Sequence, residues 1–112
     1  MRAVLRCDTR FDIAGWIKVL GIRIAGRSLL ERHLLAFLSA GVPEVVMLAD
    51  NSQKALESFV QRNAPVGMQI SFASCSEADH ADRTDAELEV DAALLVDPRL
   101  IRDLAKTYAD SP

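Results

Sequence analysis

The sequence predicts an α/β domain, a Rossmann-like doubly wound three-layer sandwich around a mainly parallel sheet. Three observations carry that expectation. Short apolar runs alternate with amphipathic stretches along the 112 residues, the pattern of strands joined through crossover helices with right-handed connections. The run "EVVML" is apolar without alternation, as in a strand covered on both faces. Between the first two apolar runs lies a helix whose start and stop are both written in the sequence.

Taken in order, "RAVL" is a short apolar run followed by polar residues, and reads as a first strand over 2–5 with a loop from Arg6 to Trp16. "IKVLGIRI" is read as extended or irregular. Ser28 with Glu31 forms a capping box, because the serine oxygen accepts from an orphan N–H of the first turn while the glutamate reaches back. Leu30, Leu34, Phe37 and Leu38 then make one apolar stripe, and Gly41 with Pro43 supplies the stop, giving a helix over 29–40. "EVVML" is the second strand. Asn51 or Ser52 caps a second helix whose inward face is Leu56, Phe59 and Val60. "MQISFA" alternates at period two and is the third strand. After an acidic stretch over 74–89, read as a solvated loop, "AALLV" is the fourth strand. "DPRLIRDLAKTY" opens a last helix with Asp97 as cap and Pro98 at its first position.

Half of the residues are hydrophobic and 26% are charged, which suits a globular chain and argues against disorder. A single domain over 1–112, alone or as a piece of a longer chain, is expected. No apolar run reaches the roughly 18 residues of a membrane span, and the N-terminus has no hydrophobic signal core, so a cytoplasmic location is expected. Cys7 and Cys75 have no ligand spacing and read as free thiols. The net charge of −3 conceals an asymmetry: residues 1–33 hold seven Arg/Lys against three acids, and residues 77–91 hold seven acids against one Arg. No basic stripe with interleaved aromatics is present, so nucleic acid is not an expected partner.

In a doubly wound sheet the ligand lies beyond the carboxyl ends of the strands, where strand order reverses. That rule nominates the segment from Arg6 to Lys18, residues 49–52 and Asp97. The cations Arg6, Arg10 and Lys18 have two readings, phosphate ligands or solvated surface. The carboxylates near His80 read as a solvated loop and not a metal site, and no metal-ligand set is nominated. His33 reads as a helix-flank residue, and Trp16 as packing ahead of base stacking.

With these elements in place, "AVL" at Ala3–Leu5, Thr9-Arg10, Lys18 and "IAGRSLLERHLLAFLSAGVPEVVML" together resemble the N-terminal half of the sugar-phosphate and alcohol-phosphate nucleotidyltransferases. That family joins an NTP to a phosphorylated acceptor and releases pyrophosphate. Its pattern runs "AVILAAGxGTR…PK", then "LLPVAGRPLLERVLRALAAAGVEEIVVV", and "ALLVDPRLIRDL" is similar to its later "LLLNGDVLFDPRLLRDL". The resemblance implies catalytic roles for Arg10 and Lys18 and nucleotide contacts from Arg6, Thr9, Arg10 and Lys18. Two departures bear on the chemistry. Where the family has "AAGxG", this chain has "RCD", with no glycine before Gly15 and a carboxylate, Asp8, where a triphosphate would lie. No "GD" follows the fourth strand to help hold Mg²⁺.

The function expected from the resemblance is therefore a degenerate nucleotidyltransferase-like domain acting as a binding, regulatory or assembly module. It would serve with a protein partner or as the soluble part of a CDP-alcohol phosphotransferase system with a fused membrane domain. The alternative is an active, cytidylyltransferase-like enzyme using Mg²⁺ and an NTP on a phosphorylated sugar or polyol.

Overall fold

A computed structural model describes residues 2–8, 10–49, 54–73, 87–95 and 97–109. The element order is β1 (Arg2–Cys7), α1 (Ile13–Leu20), β2 (Arg23–Ile24), β3 (Arg27–Ser28), α2 (Leu29–Ser39), β4 (Glu44–Ala49), α3 (Lys54–Asn63), β5 (Gln69–Ala73), β6 (Glu87–Asp91) and α4 (Pro98–Ala109). The fold is α/β: a sheet of order β5-β4-β1-β6, parallel throughout, flanked by helices and compatible with a Rossmann-like three-layer arrangement. β2 and β3 form a separate two-stranded hairpin.

Strand order sets the location of the site. From β1 the chain moves to β4 and β5 on one side, and β6 then returns to pair with β1 on the other. The order reverses between β1 and β6, where Ala3 pairs with Leu88 and Arg6 with Asp91. The crevice that the fold offers to a ligand lies just past Cys7 and Asp91.

Alternation along β1 explains its central place. Ala3, Leu5 and Cys7 face a core shared with Val45 and Met47 of β4 and with Leu88 and Val90 of β6. Leu30, Leu34 and Phe37 of α2, Leu56 and Val60 of α3, Trp16 and Leu20 of α1, and Ile101 of α4 close over it. Val4 and Leu48, on the other face, are buried outside that cluster.

α2 forms as expected. Ser28 Oγ accepts from the Glu31 N–H at 3.1 Å and the capping box is complete. The helix ends one residue earlier, at Ser39, in a Schellman motif: Val42 N–H donates to Phe37 O, Gly41 N–H donates to Leu38 O, and Gly41 takes φ +79°. Proline at the start of α4 and Asp97 as its cap also stand, with Asp97 Oδ1 accepting from the Arg99 N–H at 2.9 Å. Leu56 and Val60 are buried under α3 and Phe59 is half-buried. Asn51 and Ser52 lie outside the described residues.

Three expectations are corrected. β1 continues through Cys7, so Arg6 is a strand residue. The end of the expected loop to Trp16 and the first half of the segment read as extended or irregular form helix α1, capped by Asp12, whose Oδ1 accepts from Gly15 N–H at 2.7 Å, while Arg23–Ile24 are extended in β2. Trp16 and Leu20, four apart, bury the helix's inner face, and this 3.6-residue periodicity outweighs the strand preference of its isoleucines and valine. The fourth strand is "ELEVD", not "AALLV". Leu88 and Val90 alternate inward against β1, whereas Leu94 and Leu95 follow the turn at Ala92 and Ala93, lie outside any strand and are more than half exposed. The end of the expected acidic loop, 87–89, thus belongs to the sheet, and its remainder, 74–86 with His80, lies outside the described residues.

Candidate functional site: the crevice between β1 and β6

The crevice is built from the ends of the two strands. Asp8 follows β1 directly and Asp91 ends β6. Arg10 lies between them: its Nε donates to Asp8 Oδ1 at 2.8 Å and its Nη2 to Asp91 Oδ1 at 2.5 Å. The Arg10 N–H also donates to Asp8 Oδ1, at 3.0 Å, which folds the turn onto itself. Asp91 Oδ1 receives a further bond from the Ala93 N–H at 3.0 Å. These bonds hold the Asp8 carboxyl below its ordinary value, mainly through the Arg10 side chain and then its N–H. They raise the Arg10 guanidinium further above its own, through Asp8 first and Asp91 second.

Trp16 is buried and fixes the floor. Its indole Nε1–H donates to the Asp8 carbonyl at 2.8 Å, the Arg10 guanidinium stands 5.7 Å from its ring centroid, and Phe11 meets it edge-on at 5.1 Å. Packing, not base stacking, is the role of this ring. Beside it, Arg6 is paired with Glu89: Nε donates to Oε1 at 2.6 Å, and Nη2 reaches the same oxygen. Three carboxylates, Asp8, Glu89 and Asp91, thus face two guanidiniums across the switch point.

The nominated residues are only partly brought together. Arg6 and Arg10 stand in the crevice, each bound to carboxylates. Thr9 lies outside the described residues. Lys18 is exposed on the last turn of α1, six residues past the Asp12 cap and so about 9 Å along the helix axis. Asp97 lies at the start of α4, where its carboxylate is taken by the backbone, Nε and Nη2 of Arg99; that pairing holds its carboxyl below the ordinary value. Asp91 was missed as a site residue. Its signal was the period-two alternation of "ELEVD", which makes it a strand end.

His33, expected on a helix flank, is buried. Its Nε2 donates to the Ala92 carbonyl at 3.0 Å as the neutral ring, tying α2 to the turn behind the crevice. Burial lowers its pKa from 6.5, against smaller opposing effects of that carbonyl and of Asp91. Cys7 is buried in the core. Among the described residues, no three His, Cys, Asp or Glu side chains converge as a metal site, and no helix is long and apolar enough to cross a membrane.

The arrangement therefore offers a crevice whose guanidiniums are already paired with the protein's own carboxylates. An anion entering it would have to displace Asp8 and Asp91 from Arg10. No protein-family model matches the chain, and no curated protein matches it.

Proposed function

We propose that this chain is a degenerate nucleotidyltransferase-like domain that serves as a binding, regulatory or assembly module and not as a catalyst. The observation that carries this reading is Arg10 held between Asp8 and Asp91 across the switch point. In a phosphate-transferring site the cations of this crevice would pair with phosphate oxygens. Here they pair with the protein's own carboxylates, and no glycine loop precedes Gly15 to present backbone N–H groups.

The corrected position of β6 supports the same reading. With the strand ending at Asp91, residues 88–104 fall without a gap on the family pattern "LLLNGDVLFDPRLLRDL". Ala92 and Ala93 then stand where the family has Gly-Asp, and the side chain that would bind Mg²⁺ is a methyl group.

The test is isothermal titration with CTP and then the other NTPs, each with Mg²⁺, on the chain and on its Arg10→Ala/Lys18→Ala variant. No heat with any nucleotide is expected. Micromolar binding that disappears in the variant would instead establish a working phosphate site and favour the active cytidylyltransferase-like reading.

A further inference from the structure

A second concavity lies away from the switch point, between the β2–β3 hairpin, the outer face of α2 and the start of α4. Its volume is about 730 Å³, within the range of small-molecule sites. Ile24, Leu35, Ala36, Leu95 and Pro98 give it a mainly apolar wall. Leu95 is more than half exposed, as are its neighbour Leu94 and Leu100 on α4, so the mouth presents apolar surface to water.

The hairpin wall is held in place at a conformational cost. Ala25 and Gly26 both have positive φ, +52° and +87°, the two-residue turn that matches the twist of a hairpin. For alanine that conformation is unfavourable by about 1 kcal/mol or more. Arg32 of α2 secures it: its Nε and Nη2 donate to the Ile24 carbonyl at 2.8 and 2.5 Å, and Nη2 donates to the Ala25 carbonyl at 3.2 Å.

Among the described residues the charge of this wall is uncompensated. Arg32 is half-buried and bonded only to neutral carbonyls, with no carboxylate partner among the described residues. Arg27 also lines the cavity and is exposed; its backbone belongs to the hairpin, but its side chain makes no hydrogen bond or ion pair with the described residues. Asp97, the one acid among the described residues of the lining, is already held by Arg99. An apolar cleft with two guanidiniums and no free carboxylate has the complement of an amphiphilic anion.

We propose that this cavity binds a small amphiphilic anion, its apolar body against Leu35, Ala36, Leu95 and Pro98 and its carboxylate or phosphate group at Arg27 and Arg32. The site is separate from the β1/β6 crevice and does not depend on how that crevice is read.

The experiment is titration of the whole chain, by calorimetry and ligand-observed NMR, with decanoate, decyl phosphate, decanol and decyltrimethylammonium. Both anions, or one of them, should bind about tenfold or more tighter than the alcohol or the cation; which anion binds identifies the head group. Arg27→Ala should weaken the anions and leave decanol unchanged. Ser39→Trp places an indole into the cavity from an exposed lining position and should abolish binding, with the fold verified by circular dichroism and melting. The proposal is overturned if neither anion binds, if the cation binds as well as the anions, or if a folded Ser39→Trp variant binds undiminished.

Discussion

Arg10 Nη2 lies 2.5 Å from Asp91 Oδ1, a contact between residues 81 apart in sequence that joins the turn after β1 to the end of β6. This pair and its companion Asp8 occupy the guanidinium that an anion in the crevice would need. Replacing both acids, Asp8→Asn/Asp91→Asn, leaves a guanidinium with neutral neighbours of the same shape. The double variant should bind pyrophosphate about tenfold or more tighter than the parent, read by calorimetry at low salt. Equal affinity in the two proteins would show that the carboxylates are not what closes the crevice to anions.

The buried His33 makes stability depend on pH in a range set apart from the carboxylates. Its folded pKa lies below the unfolded value of 6.5 because burial disfavours the charged ring. Above 6.5 both states are neutral and stability is full. As pH falls below 6.5 the unfolded state takes up its proton first, and stability declines until the folded pKa is reached, by at most about 1.4 kcal/mol per pH unit. Urea melts at pH 7.5 and 5.5 should show the loss, and His33→Gln should remove most of it. An unchanged pH profile in the variant would place the titrating group elsewhere.

Leu34 and Phe37 are fully buried beneath the sheet on α2. Truncating either to alanine removes apolar contact and leaves a cavity, at a cost of about 2–5 kcal/mol. Urea denaturation measures this directly, and two neutral results would mean that α2 does not present this stripe to the core.

Ser28 does two things at the start of α2. It accepts the Glu31 N–H, and its own N–H points to the Glu31 carboxylate at 3.4 Å. Ser28→Ala should cost about 1 kcal/mol, and Ser28→Gly less, because glycine leaves room for water at the orphan donor. Melting curves of the two variants distinguish a lost cap from a lost packing contact, which would rank them the other way.

The legible parts of the chain were those where one signal acted alone. The capping box and stripe of α2, the apolar run of β4 and the Asp97-Pro98 start of α4 each name their element without competition. α1 was missed because "IAGWIKVL" carries β-branched residues and a glycine, so local preference opposed the four-residue spacing of Trp16 and Leu20. β6 was misplaced because "AALLV" is more apolar than "ELEVD". Yet an edge position beside Arg6 favours a strand with an outward glutamate, and that requirement comes from β1, more than 80 residues earlier. The candidate site was legible as a location and not as chemistry: the fold pointed to Arg6 and Arg10, but Glu89 and Asp91, which pair with them alongside Asp8, belong to the misplaced strand.

That pairing of opposite ends has a kinetic corollary. β1 finds β4 after two helices and a hairpin, whereas its other neighbour, β6, arrives only when a loop spanning most of the chain has closed, an entropic cost that slows late assembly. The basic first third and the acidic segment ending in β6 carry opposite charge, so the groups that pair in the crevice should also favour the docking of the last strand. Added salt should weaken this guidance within a Debye length of about 10 Å or less, and refolding should slow with ionic strength more than unfolding accelerates.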